Sequence, residues 1–225
     1  SHNGCTFCPM YWDKKFKMRS FEEVYADLQE ARRESSRVER IFFADGDALC
    51  LATEKLLPLL GAAKALFPEC TRIGIYGRAE NILRKTDDEL KLLRDAGLGI
   101  IYLGAESGSA EVLRRVNKGE TPEEMIEAVH RAENAGIPVS VTFISGLGGR
   151  ELMEEHAVET GKMIGEMSAS YIGLMTLMIV PGSSISEDIA LGKFDPLNSQ
   201  DVMRELDLIL LNADCKKESV IRSNH

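Results

Sequence analysis

The sequence predicts an α/β protein in which short parallel strands alternate with helices, and three observations support this. Apolar runs rich in β-branched and aromatic residues recur at Val38–Ala44, Arg72–Tyr76, Ile100–Leu103, Val139–Ile144 and Tyr171–Leu177. Runs of that length between helices read as strands buried on both faces. The stretches between them open with helix-capping residues, and the strand ends are rich in glycine and small polar residues. The strand–helix unit repeats along the chain with no Pro/Gly/Ser-rich linker to divide it, so residues 1–225 read as a single domain.

The elements follow in order. Ser20-Phe21-Glu22-Glu23 is a capping box, in which the serine hydroxyl accepts the N–H three residues on and the glutamate reaches back to the cap. It opens an amphipathic helix ending near Arg33, and the alternating charges over Ala26–Arg40 read as its solvated face. A second helix spans Thr53–Leu66. Thr86-Asp87-Asp88-Glu89 repeats the capping box and leads a helix to Ala96, with Gly97 as its stop. Thr121-Pro122-Glu123-Glu124 adds proline at the first helical position, and Gly136 closes that helix. Further helices are expected at Ala110–Val116, Glu151–Met167 and Ser199–Asn212. The last residues, Val220 to His225, have the pattern of a strand.

Composition narrows the functional classes. The chain is 44% hydrophobic and 28% charged, as an ordinary soluble globular protein is. Its longest apolar run, Tyr171–Val180, is about half the length a membrane span needs. No charged-then-apolar leader opens the chain, and a cytoplasmic location is expected. The net charge of −9 argues against a nonspecific grip on nucleic acid, which needs a basic face. Of five cysteines, Cys50, Cys70 and Cys215 are scattered; the set is no disulfide framework and suits a reducing compartment. The chain starts inside a motif without an initiator Met and stops in a strand, so truncation at both ends is expected.

The richest chemical signal is Asn3-Gly4-Cys5-Thr6-Phe7-Cys8-Pro9-Met10-Tyr11. Two thiolates three residues apart, beside a glycine and an aromatic, have the local geometry that grips an iron–sulfur cluster or zinc. Each strand then ends in small or polar residues: Ala44-Asp45-Gly46-Asp47, Gly77-Arg78, Gly104-Ala105-Glu106-Ser107-Gly108-Ser109 and Ser145-Gly146-Leu147-Gly148-Gly149. In parallel α/β folds the C-terminal strand ends face the ligand, and glycine there lets backbone approach it closely.

A cysteine motif followed by repeated strand–helix units resembles the radical S-adenosylmethionine (SAM) superfamily. That resemblance implies a partial (βα)6, TIM-like barrel, with its first strand before Ser1 and its C-terminal end missing. It implies a [4Fe-4S] cluster held by Cys-x-x-x-Cys-x-x-Cys, of which Cys5-Thr6-Phe7-Cys8 matches the second half. The run from Ser1 to Cys8 is similar to a subgroup, often described only as iron–sulfur oxidoreductases, whose first cysteine immediately precedes Ser-His-Asn. Here that residue would lie one position before Ser1, and strict spacing would put Ser1 itself there. Phe7 corresponds to the aromatic near the adenine of SAM. Asp45-Gly46-Asp47 corresponds to Gly-Gly-Glu, which meets the SAM amino group, with Asp47 in place of Glu. Glu106 and Ser107 fall in the Glu-Ser-Gly-Ser segment beside the ribose or methionine part. Gly146 belongs to the glycines that accept adenine, and Pro181-Gly182-Ser183 resembles the Pro-Gly-Thr turn; apart from the resemblance, Arg78 after the second strand is a further candidate ligand contact. The family's chemistry implies reductive SAM cleavage to a 5′-deoxyadenosyl radical, an electron donor such as flavodoxin or ferredoxin, and a substrate the sequence does not name.

Plainer roles compete for the same residues. Asp45-Gly46-Asp47 could be only a tight turn, Glu106 could cap the helix starting near Ser109, and Arg78 could be salt-bridged. Lys118 reads as a surface lysine, His130 and His156 as structural or solvated, and Met175 and Met178 as packing. Two rival functions follow: a zinc-dependent barrel enzyme using His2, Cys5 and Cys8, or a non-catalytic cluster- or nucleotide-binding protein.

Overall fold

Alternation decides which side of each strand is packed. In the computed structural model Ile73, Ile75, Ile101, Leu103, Val141, Phe143, Ile172 and Leu174 are all almost fully buried, and they occupy alternate strand positions. The strands are β1 (Arg40–Phe43), β2 (Arg72–Tyr76), β3 (Leu98–Glu106), β4 (Val139–Ser145), β5 (Tyr171–Thr176) and β6 (Val220–Ser223). They form one six-stranded parallel sheet whose spatial order is the chain order. The helices are α1 (Phe21–Glu34), α2 (Thr53–Leu66), α3 (Ala79–Leu83), α4 (Asp87–Asp95), α5 (Ala110–Arg115), α6 (Pro122–Asn134), α7 (Met153–Met167), α8 (Ser184–Ala190) and α9 (Ser199–Asn212). A short 3₁₀ turn covers Ala48–Cys50. The structure describes residues 4–8 and 15–223; His2 and the other predicted positions at 1–3, 9–14 and 224–225 lie outside them.

Two compact units can be told apart. One comprises residues 16–103 and 128–139; the other comprises 4–8, 15, 104–127 and 140–223 of the described chain. In the first, Arg131 near the end of α6 donates to the carboxylate of Asp87 and to the carbonyl of Leu83, clamping the α3–α4 corner. Arg32 of α1 pairs with Glu69, which also accepts the Val38 N–H that leads into β1. In the second unit α7 lies close against α9 because Gly161 has no side chain. A Cβ there would come within 2.5 Å of both Asn212 Cβ and the Ile209 carbonyl.

The capping expectations hold. Ser20 and Glu23 exchange both bonds of the capping box, as do Thr86 and Glu89. Thr121 and Glu124 do the same ahead of α6. Gly97 and Gly136 take positive φ, of 109° and 82°, where those helices end. The strand at Arg72–Tyr76 and the helices at Thr53–Leu66 and Ser199–Asn212 have the expected bounds. β3 is longer than expected, Leu98–Glu106 against Ile100–Leu103, because glycines at 99 and 104 interrupt its apolar pattern without interrupting its backbone. It therefore carries Glu106 on a strand end. α7 starts at Met153 rather than Glu151, after a run of turns. The short helices α3 and α8 were not anticipated; at five and seven residues they are too brief for a periodic pattern.

Replacing Gly161 with alanine is expected to push α9 from α7 and to cost about 1–3 kcal/mol of stability, the usual penalty for overpacking. A lowered urea midpoint at unchanged m-value checks it.

Candidate functional site

In the second unit the cysteine pair sits on a turn whose backbone is laced to its neighbours. The Cys8 N–H donates to the Cys5 carbonyl at 3.3 Å. The Thr6 N–H donates to the Val116 carbonyl at 3.1 Å, and the Thr6 carbonyl accepts from Ile185 in the first turn of α8 at 3.4 Å. Asn117 holds the turn twice: its amide donates to the Gly4 carbonyl at 3.1 Å, and its own carbonyl accepts the Cys5 thiol at 3.7 Å. Cys5 is buried and Cys8 half-buried. Phe7, between them, packs against an apolar group of Val112, Val116 and Leu147.

Asn117 can do this because it ends α5. Its φ is +56°, a left-handed conformation that asparagine tolerates better than most residues. The Asn117 N–H bonds the Arg114 carbonyl and the Lys118 N–H bonds that of Leu113, the paired bonds of a Schellman motif. This turn directs Lys118 inward. It is 5% exposed, so the expectation of a surface lysine is overturned. Its ammonium lies 3.3 Å from Glu106 and 3.8 Å from Glu120, and these partners offset the cost of burying it. Sequence reasoning passed over Asn117; the signal was an Asn-x-Gly directly after a predicted helix.

Glu106 ends β3 with φ +69°, unusual for a residue with a side chain. Gly104, two residues earlier, makes room for its carboxylate: a Cβ there would fall 2.1 Å from Glu106 Oε1. Glu106 does not cap α5. That role belongs to Ser109, whose hydroxyl accepts from Val112 N at 3.1 Å and donates to Glu155 at 2.6 Å. Ser107 points the other way and is fully buried, its hydroxyl 2.7 Å from His156 Nδ1. His156 Nε2 faces the Ile144 carbonyl at 3.1 Å, and a carbonyl only accepts. Nε2 therefore carries the proton, and Nδ1 accepts from Ser107, which in turn accepts the Ser109 N–H. His156 is thus structural, as one of its expected readings had it, and burial pushes its pKa down to about 4. Gly108 completes the segment by lying against α7, where a Cβ would meet the Glu159 carbonyl at 2.3 Å.

The end of β4 is held by a residue the sequence did not mark. Glu205 of α9 is fully buried and accepts both the Ser145 hydroxyl and the Gly146 N–H, the latter at 2.6 Å. Its other oxygen is buried without a hydrogen bond, and burial raises its pKa to about 7. Gly146 has φ +84° and opens the glycine turn. Ser183 of the Pro-Gly-Ser turn caps α8.

The first unit carries the remaining candidates. Asp45 is exposed, Gly46 has φ +62°, and Asp47 is buried. The Asp47 carboxylate accepts from the Asn81 amide of α3, and its N–H bonds the Asp45 carbonyl at 2.6 Å. Arg78, the residue before α3, lies 3.6 Å from Glu80 with its side chain largely buried. Cys50, Cys70 and Cys215 are not gathered into a cluster with other ligand types among the described residues. None of the described helices is long and apolar enough to cross a membrane.

Comparison with known proteins gives these positions a context. The radical SAM superfamily model matches residues 2–163. The chain is 24% identical over 220 residues to a tRNA-2-methylthio-N(6)-dimethylallyladenosine synthase of Chlorobium phaeobacteroides, covering 93% of this chain and 46% of that protein. It is 24% identical over 187 residues to an uncharacterized methyltransferase of Pyrococcus horikoshii, covering 82% of this chain and 39% of that one. Among solved structures, coproporphyrinogen III oxidase of Escherichia coli superposes with a TM-score of 0.68 at 19% identity, covering 95% of this chain and 50% of the oxidase. SuiB of Streptococcus suis bound to S-adenosylmethionine gives 0.68 at 12% identity, covering 100% and 48%. The chain thus spans half or less of each of these proteins.

The neutral imidazole makes stability pH-dependent. A folded-state pKa near 4 against an ordinary 6.5 means that the unfolded chain takes up the proton first as pH falls. The contribution is complete above 6.5 and lost on descending to about 4, amounting to about 3 kcal/mol. Urea titrations across that range are expected to show a shallower pH slope for His156→Gln than for the parent.

Proposed function

The chain belongs to the radical SAM superfamily, whose members bind a [4Fe-4S] cluster and SAM, and on that premise we propose that it is a radical SAM oxidoreductase abstracting hydrogen from a substrate. The observation that carries this reading is the continuous path from the Cys5–Cys8 turn through Asn117 and Lys118 to Glu106. One loop of thiolates and one strand-end carboxylate share a single rigid support.

The donor set suits the cluster. Cys5 and Cys8 are soft thiolate donors on one hydrogen-bonded turn, which iron–sulfur centres prefer over hard oxygen ligands. No three ligand side chains gather among the described residues, and the family's first cysteine position falls at or before Ser1, outside them. The zinc alternative depends on His2, which lies outside them too. When bound, the cluster supplies the electron that cleaves the carbon–sulfur bond of SAM and releases a 5′-deoxyadenosyl radical.

The protein's own residues bind and orient. Phe7, packed with Leu177 against the group of Val112, Val116 and Leu147, offers an apolar edge to adenine beside the cysteine turn. Glu106 accepts ribose hydroxyls, with Lys118 holding its carboxylate in register. Ser107 keeps that strand end in place through His156 rather than touching ligand. Gly146 exposes backbone beside the adenine, its turn anchored by Glu205. In the first unit, taken by itself, Gly46 gives its turn a left-handed step, Asp47 shapes it through Asn81, and the exposed Asp45 carboxylate offers a partner for an ammonium group such as that of SAM. Arg78, just before α3 in the same first unit, is a further candidate ligand contact. A flavodoxin or ferredoxin provides the electron, and the enzyme works in the cytoplasm.

Full-length protein, reconstituted anaerobically with iron and sulfide and reduced with dithionite, is expected to be brown and to form 5′-deoxyadenosine from SAM. Cys5→Ala and Cys8→Ala abolish the product. A colourless protein with stoichiometric zinc and no product would overturn the assignment. Glu106→Gln keeps its bond to Lys118 but weakens that to ribose, so KM for SAM is expected to rise about tenfold. Unchanged KM would remove Glu106 from the binding role.

A further inference from the structure

One face of β2 and β3 is packed, with Ile73, Ile75, Ile101 and Leu103 buried, and the other face of β1–β3 holds aromatic side chains that the cofactor reading does not use. Phe42, Tyr76 and Tyr102 meet edge to face, with ring centroids 4.6, 5.2 and 6.2 Å apart. Phe42 is 41% and Tyr76 43% exposed, large values for aromatic residues within a sheet. Register explains the grouping. Phe42 stands opposite Gly74, where a Cβ would lie 2.9 Å from the Phe42 ring, and Tyr76 stands opposite Tyr102.

Two arginines share this face. Arg40 and Arg72 are direct register partners, two residues before Phe42 and Gly74 respectively. Strand periodicity therefore places them on the aromatic side, about 7 Å nearer the strand starts. Gly99 leaves room for one of them: a Cβ there would meet Arg72 Cγ at 2.9 Å. Like charges directly across a strand pair repel each other. Neither arginine forms an ion pair with a carboxylate among the described residues. The face thus combines exposed aromatic rings with two guanidinium groups that pair with no carboxylate among the described residues. Rings of this kind accept another planar ring by offset or edge-to-face stacking, and guanidinium pairs with carboxylate or phosphate.

We infer that this face of β1–β3 binds a planar aromatic substrate carrying an anionic group, with the ring against Phe42, Tyr76 and Tyr102 and the anion at Arg40 and Arg72. This rests on the radical SAM reading only in calling the bound molecule a substrate. The anion stands about 7 Å from the ring along the strands. Both a small aromatic acid and a nucleotide meet that description.

The test uses full-length, reconstituted protein with SAM present and 3-fluorotyrosine in place of tyrosine, followed by fluorine NMR. Tyr76→Phe and Tyr102→Phe assign the two resonances. Four probes are titrated: indole-3-butyrate, uridine 5′-monophosphate, neutral indole and 4-cyclohexylbutyrate. At least one aromatic anion is expected to shift both resonances saturably, binding about tenfold more tightly than indole or the cyclohexyl acid. A response to indole-3-butyrate alone identifies an aromatic acid site, and a response to the nucleotide alone a nucleotide site; either supports the inference. Arg72→Met should erase the advantage over indole, and Tyr102→Leu the advantage over the cyclohexyl acid. Arg40→Met and Tyr76→Leu, at exposed positions, repeat the comparison should the first pair fail to fold. No saturable shift with either aromatic anion, or equal binding of the cyclohexyl acid, overturns it. Formation of 5′-deoxyadenosine by the same samples reports separately on the radical chemistry, so each reading can fail without the other.

Discussion

Everything assembled at the cysteine turn of the second unit hangs on how α5 stops. At Val116, Asn117 and Lys118 the backbone leaves the helix through a left-handed asparagine, and three consecutive residues then reach three different places. The Val116 carbonyl holds Thr6, Asn117 holds Gly4 and the Cys5 thiol, and Lys118 holds Glu106. Most side chains at position 117 would resist the left-handed conformation by about 1–2 kcal/mol. Glycine would accept it but could not supply the amide that grips Gly4. Asparagine meets both demands, which ties a local helix-ending rule to the placement of thiolates.

The strand ends of this unit are set by buried polar groups rather than by apolar packing alone. Ser107 and His156 pin the end of β3 to α7, and Glu205 pins the end of β4 to α9. Each arrangement fills hydrogen-bonding needs that an apolar interior would leave unmet. Their titrations lean in opposite directions. Burial disfavours the charged form of both, so His156 resists protonation while Glu205 resists losing its proton. Around neutrality His156 is therefore neutral, while Glu205 sits near the middle of its titration.

The elements were largely legible because the forces that start and stop them act over three or four residues. Ser20 with Glu23, Thr86 with Glu89 and Thr121 with Glu124 declare their helices from side chains that reach only their own backbone. The parallel strands announce themselves as short apolar runs between capped helices, although burial turned out to alternate along them rather than to cover both faces. Cys5 and Cys8 were legible for the same reason, since a shared turn brings them together. Brief helices such as α3 escaped because five residues give no period, and β3 seemed short because its glycines broke the pattern.

By itself, then, the sequence determined the strand–helix repeat, the caps, the glycine-rich strand ends and the paired thiols, all products of near-neighbour geometry. Only the tertiary structure decided that Lys118 turns inward between Glu106 and Glu120 and that Ser107 faces His156. It also decided that Glu205, some sixty residues on, bonds Gly146. The grouping of Phe42, Tyr76 and Tyr102 likewise comes from strand register, which no single strand contains. These contacts join residues far apart in the chain, and their energy depends on burial that exists only once the sheet and helices have packed.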